Sequence, residues 1–148
     1  MSSVLAGLKN HSSVFIDTAC FIYLFEDEKK FGKITSDIFD FLSDKKKALI
    51  TSVITVSEIM VKPFKLKKAI QIKLYGELFE QLPGLLVARF GYQTALKAAR
   101  IRAEYGFSLP DSMQLAMAQR EGAEVFITND KQLKKFKDLK IICLSDFV

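Results

Sequence analysis

The stretch Val14-Phe15-Ile16-Asp17-Thr18 decides how this chain is read, because an uninterrupted apolar run ends abruptly in a carboxylate. An apolar run without polar alternation belongs to a strand covered on both faces, so the acid marks the strand's end. Together with that first run at 14–17, runs at 48–51, 85–90, 125–128 and 141–144 share this character and are bounded by polar or turn residues. Between them the period changes. Residues 31–46 place Phe31, Ile34, Ile38, Phe41 and Leu42 at helical spacing, and 66–82 does the same with Leu66, Ile70, Leu74, Leu78 and Leu82. Pro63 limits the helix that follows the second run, Pro83-Gly84 ends the next, and Gly106 caps a helix over 93–105. Strands alternating with helices imply right-handed crossovers and a mostly parallel sheet, with any ligand site at the strand carboxyl ends.

Four acids fall on that side of the expected sheet. Asp17 ends the first strand and Asp130 follows Val125-Phe126-Ile127-Thr128. Glu58 lies in the helix after Ala48-Leu49-Ile50-Thr51, and Asp111 opens the helix that begins at Leu109-Pro110. Taken singly, three of them have ordinary roles: Asp17 and Asp130 as caps or turn residues, and Asp111 as a helix amino-terminal charge. Glu58 borders an apolar helix face, one turn from Ile54 and Val61, where a partly buried carboxylate needs a partner. Jointly, carboxylates crowded at one edge repel one another. They are sustained at neutral pH if a hard cation bridges them or some stay protonated, the pattern of a magnesium-type phosphodiester hydrolase.

The composition agrees with one enzyme domain over residues 1–148. At 148 residues and 49% hydrophobic content, the chain can bury a core without disulfides or a structural metal, and thirteen Phe with no Trp make that core Phe-rich. Cys20 and Cys143 fall in separate apolar runs and read as small buried hydrophobes. Residues 1–12 are expected to be a flexible leader carrying the only histidine, His11, in solvent. No apolar run approaches a membrane span, and Val4-Leu5-Ala6-Gly7-Leu8 is too short for a signal sequence, so the cytoplasm is the expected location. The net charge of +5 arises from 22 Lys and Arg against 17 Asp and Glu. With four acids committed to one pocket the remaining surface is more basic still, which suits a polyanionic substrate. Lysines cluster at 45–47, at 62–68 and at 131–140, each cluster an ordinary solvated surface taken singly; the third starts beside Asp130.

The segments Val14-Phe15-Ile16-Asp17-Thr18, Ile54-Thr55-Val56-Ser57-Glu58-Ile59, Leu109-Pro110-Asp111-Ser112-Met113-Gln114-Leu115-Ala116 and Phe126-Ile127-Thr128-Asn129-Asp130 resemble, in order and spacing, the four motifs of PIN-domain nucleases. The resemblance runs from about Val14 to Phe147 and is nearest to small single-domain members such as VapC-type toxins. It implies a three-layer α/β/α domain around a five-stranded parallel sheet of order 3-2-1-4-5, and an RNA endonuclease dependent on Mg2+ or Mn2+. Carried over to this chain, the metal-binding and catalytic acids are Asp17, Glu58, Asp111 and Asp130, with Thr18 and Thr128 as supporting hydroxyls. Ser112 stands where alanine is frequent, its hydroxyl within reach of a carboxylate or a water.

Hydrolysis of a phosphodiester needs an activated water and compensation of the charge that builds on oxygen, and a magnesium ion supplies both. Asp17 and Asp130 are the first-choice direct ligands, with Asp111 direct or through water and Glu58 orienting a water. Other readings fit less well: a haloacid-dehalogenase-like phosphatase needs an acid at position 19, which is Ala, and a receiver domain needs an Asp near Arg89-Phe90-Gly91. A catalytically inactive RNA- or protein-binding module of the same fold is the stronger rival. For partners, the sequence points to RNA and to an antitoxin that inserts a basic side chain into the acidic pocket. Phe39, Tyr75 and Phe79 exceed what one sheet-facing stripe requires, so they either form a homodimer or antitoxin groove or pack the helices on each other.

Overall fold

The computed structural model describes residues 3–148. Its elements run α1 (Ser3–Leu8), β1 (Ser13–Ile16), α2 (Thr18–Phe25), α3 (Gly32–Asp44), β2 (Ala48–Ser52), α4 (Val53–Lys65), α5 (Ala69–Gln81), β3 (Leu85–Ala88), α6 (Tyr92–Tyr105), α7 (Leu109–Arg120), β4 (Val125–Thr128) and β5 (Lys140–Cys143). Short 3-10 turns occupy Lys131–Lys135 and Leu144–Phe147. The sheet order is β3-β2-β1-β4-β5 with every pairing parallel, in registers such as Ser13 with Ala48 and Val14 with Val125. β1 is therefore central, which is why Val14, Phe15 and Ile16 are wholly buried.

Alternate residues of the central strands feed two separate cores. Val14, Ile16, Val125 and Ile127 join α1 to α5 on one face, whereas Phe15, Ile50 and Phe126 meet α6 and α7 on the other. Across the second face the Phe15 and Phe126 rings stack at 5.0 Å and 6°. These two covered faces make the α/β/α sandwich, and with β1 and β4 adjacent, Asp17 and Asp130 both come just past strand carboxyl ends, Asp17 directly after β1 and Asp130 two residues beyond β4.

Several local expectations need correction. Residues 3–8, expected in a flexible leader, form α1 with Val4 and Leu8 fully buried against the core, and His11 Nδ1 lies 3.1 Å from Glu124 Oε2. Met1 and Ser2 of that segment lie outside the described residues. Pro63 does not end the Glu58 helix, since α4 continues to Lys65 and Leu66 N–H still bonds the Lys62 carbonyl at 3.0 Å. Its missing N–H forfeits only one bond in the last turn. The break falls at Lys67, whose φ of +55° is left-handed, so α5 begins at Ala69 rather than 66. Phe39, Tyr75 and Phe79 are buried, packing α3 and α5 around the Phe21 and Phe25 rings instead of facing a partner. Gly106 does cap α6, with φ +77° and its N–H on the Arg102 carbonyl at 2.8 Å.

Candidate active site

Asp17 is placed by the sheet itself. Its N–H donates to the Ile127 carbonyl at 2.9 Å, extending the β1–β4 ladder one residue past the strand. The side chain then caps α2, Oδ1 accepting from Thr18 N–H at 2.7 Å, while Oδ2 accepts the Thr128 hydroxyl at 2.7 Å. Asp17 is 8% exposed. Burial pushes its carboxyl up to about 6; the bonds from Thr128 and Thr18 oppose that rise, and the charges of Asp111 and Glu58 add to it.

The other acids arrive from three elements. Asp111 sits in the first turn of α7, where the Ser108 hydroxyl accepts its N–H at 3.2 Å. Burial raises its carboxyl, the Ser108 hydroxyl lowers it, and Asp130 and Glu58 raise it again. Asp130 caps the turn Lys131–Lys135 by accepting Gln132 N–H at 3.0 Å, and its own N–H donates to Thr128 Oγ1 at 3.1 Å. Glu58 projects from the exposed side of α4, yet its Oε1 accepts the Thr18 hydroxyl at 2.7 Å, while Lys62, one turn on, lies 3.7 Å from Glu26 instead. Asp17 thus senses Asp111 and Glu58, and Asp111 senses Asp130 and Glu58, so electrostatics link all four across the carboxyl edge of the sheet.

Thr18 and Thr128 each hold an acid, as described. Ser112 does not: it is fully buried, and its hydroxyl has no hydrogen-bond partner among the described residues. One position on from Asp111, it is turned about 100° around α7 toward the core. Beneath the acids lies a buried polar knot that sequence reading missed. Gln114 Nε2 donates to Thr55 Oγ1 at 2.8 Å and to Thr18 Oγ1 at 3.1 Å, and its Oε1 accepts the Ser52 hydroxyl. The available signal was a glutamine among the buried residues Leu115 to Ala118, where an amide needs partners.

The donor set is chemically uniform. Carboxylate and hydroxyl oxygens face this edge, and hard divalent cations such as Mg2+ or Mn2+ select oxygen ligands. Asp17 and Asp111 are both raised in part by neighbouring carboxylates, a repulsion that a bound cation relieves. On these grounds the residues fit such an ion. As the side chains stand, no three His, Cys, Asp or Glu groups among the described residues converge closely enough to enclose one. Cys20 and Cys143 are buried free thiols, and Cys20 bonds weakly to the Ile127 carbonyl.

The profile of the PIN domain family matches residues 14–139. No curated protein matches the chain significantly in sequence. Among solved structures, a toxin–antitoxin complex from Klebsiella pneumoniae contains a chain 23% identical, with a TM-score of 0.70, covering 89% of this chain and 98% of that one. A VapBC complex from Rickettsia felis bound to a DNA fragment from its promoter is similar at 18% identity and a TM-score of 0.72, over 88% of this chain and 97% of that one. A sarcin-ricin-loop-cleaving VapC toxin from Mycobacterium tuberculosis is similar at 14% identity and a TM-score of 0.61, over 77% and 87%. At these identities the likeness is one of fold.

Proposed function

Because the chain belongs to the PIN domain family, we propose that it is a Mg2+- or Mn2+-dependent endoribonuclease that hydrolyses RNA phosphodiester bonds, and that it serves as the toxin of a toxin–antitoxin pair. The observation that carries this reading is the placement of the four acids about the carboxyl edge of the sheet: Asp17 buried just past β1, Asp130 just beyond β4, Asp111 in the first turn of α7, and Glu58 tied to Thr18, the neighbour of Asp17, at 2.7 Å. All four are the proposed metal-binding and catalytic residues. Asp17, pinned by two donors, would hold the ion together with Asp130, and with Asp111 directly or through water. A bound divalent ion supplies charge compensation at the phosphate oxygens and makes an attacking water acidic. Glu58, exposed on α4 and held by the Thr18 hydroxyl, would orient that water and accept its proton. Thr18 and Thr128 keep the acids in register, and the exposed Lys131 and Lys135, just beyond Asp130, meet the RNA backbone.

The partner reading is supported by a groove that starts at the site. Glu58 lines a small cavity with Ile22, Phe25, Lys62 and Tyr75, and Phe25 and Tyr75 continue it toward Ile70 and Leu74, which are 87% and 49% exposed. An antitoxin segment with an apolar face seated on Ile70 and Leu74 can extend a basic side chain to Glu58, arginine being best suited because its planar fork bridges carboxylates. A homodimer through exposed apolar residues of α4 and α5 is also proposed. Among the described residues no helix is long and apolar enough to cross a membrane, and we propose a cytoplasmic location.

The test is cleavage of RNA oligonucleotides by the purified chain with Mg2+, with Mn2+ and with EDTA. Endonucleolytic products that require a divalent ion and disappear in Asp17→Asn support the reading. RNA binding without cleavage under every metal condition rejects it in favour of a non-catalytic binding module.

A further inference from the structure

The buried knot beneath the acids has a fixed direction, and that direction follows from counting donors and acceptors. Ser52 is the N-cap of α4, and its Oγ accepts from Ile54 N–H at 3.1 Å and Thr55 N–H at 3.5 Å. With its lone pairs engaged, the Ser52 hydroxyl must donate, and its acceptor is Gln114. The Gln114 oxygen therefore faces Ser52, and its NH2 group faces the two threonines, one hydrogen to Thr55 and one to Thr18. The flipped amide would set Nε2 against a Ser52 oxygen that has no acceptor capacity left. Thr55 Oγ1 lies 3.1 Å from Thr18 Oγ1. The Glu58 carboxylate can only accept, so the single Thr18 hydroxyl proton goes to its Oε1 at 2.7 Å, and Thr55 is then the donor across the contact to Thr18 Oγ1. Ser52, Thr55 and Gln114 are at most 1% exposed, so water does not compete for the bonds among these three.

We propose that Gln114 is a positioning residue for Glu58, acting through the Thr18 hydroxyl: the helix cap sets the amide, the amide sets the threonine, and the threonine sets the carboxylate. The inference rests on the reading of Glu58 as part of a hydrolytic centre. It ties three elements, α2, α4 and α7, to the orientation of one exposed side chain, the role outer hydrogen bonds play around metal-site ligands. Gln114 touches neither substrate nor reacting atoms.

The test begins on metal-free protein. In proton NMR the wild-type Thr18 hydroxyl is expected to give a resolved, slowly exchanging signal. Gln114→Met, similar in shape but without polar atoms, should lose it to solvent exchange. Gln114→Glu, which keeps an acceptor for Ser52 and loses both amide donors, should do the same and serves if the methionine variant does not fold. A signal that is absent from the wild type, or that persists unchanged in the variants, overturns the proposal. In cleavage at saturating metal, Gln114→Met and Thr18→Val are each expected to lower kcat about tenfold to a hundredfold with KM little changed. The double variant should be no worse than the poorer single one, because both cut the same path. Multiplying losses, or a change confined to thermal stability, would mean that Gln114 is structural only. If the wild type cleaves no RNA, the hydrolase reading fails on that result, while the hydroxyl signal still decides the positioning of Glu58.

Discussion

The Thr128 hydroxyl donates to Asp17 Oδ2 at 2.7 Å, while its Oγ1 accepts the N–H of Asp130 at 3.1 Å. One buried side chain at the end of β4 thereby ties the carboxylate of Asp17 to the backbone of Asp130. Thr128→Val keeps the β-branched shape and removes both bonds. It is expected to destabilise the metal-free protein by about 1–3 kcal/mol, the usual penalty for stripping a partner from a buried polar group, measured by urea unfolding at neutral pH. Cleavage should fall at least about tenfold.

The buried Asp17 gives the metal-free protein a distinctive pH dependence. Its carboxyl titrates near 6 when folded against 3.8 ordinarily, chiefly because burial disfavours the charge. Between those values the folded state binds more protons than the unfolded one, so stability falls as pH rises from about 4 through about 6. Above that window the full penalty, on the order of 3 kcal/mol, is present. Asp17→Asn lacks the titrating group. Melting temperatures in EDTA should therefore cross over, the variant becoming the more stable one above pH 6. A wild type that is more stable than the variant at pH 8 without metal would contradict the assignment.

The strands and their acids were legible because a strand buried on both faces leaves an unbroken apolar run, and Asp17 and Asp130 come just after such runs. The sites of Phe39, Tyr75 and Phe79 were not, because helical spacing tells which residues share a face but not how many neighbours cover it. Pairing α5 with α2 buries a second stripe, made by Phe25 against Tyr75 and Phe79. Gln114 was hidden for another reason: its partners Thr18, Ser52 and Thr55 lie 96, 62 and 59 residues away in sequence.

The groove beside Glu58 makes a prediction about partners. Ile70 and Leu74 contribute little to the isolated fold, being 87% and 49% exposed, so Ile70→Asp with Leu74→Asp should shift stability by no more than about 0.5 kcal/mol per site. RNA cleavage should be retained while binding of the proposed antitoxin partner, read by co-purification when neighbouring genes are co-expressed, is lost. Loss of cleavage with the fold intact would show that this surface serves the reaction instead.

The second core offers a check on the architecture. Phe126→Ala empties the stack against Phe15, which is fully buried between the sheet and α6–α7. It should cost about 3–5 kcal/mol, read as a large drop in the urea midpoint. A small change would mean that the two faces of the sheet are not packed as described.

The most direct measurement is a manganese titration followed by electron paramagnetic resonance, in which the free ion's signal is lost as it binds. The wild type is predicted to take up Mn2+ saturably at the carboxyl edge of the sheet, with affinity at least about tenfold weaker in Asp17→Asn and in Asp111→Asn. A wild type that leaves the Mn2+ signal unchanged, or two variants that bind as tightly as it does, would contradict the account of these acids as one metal centre.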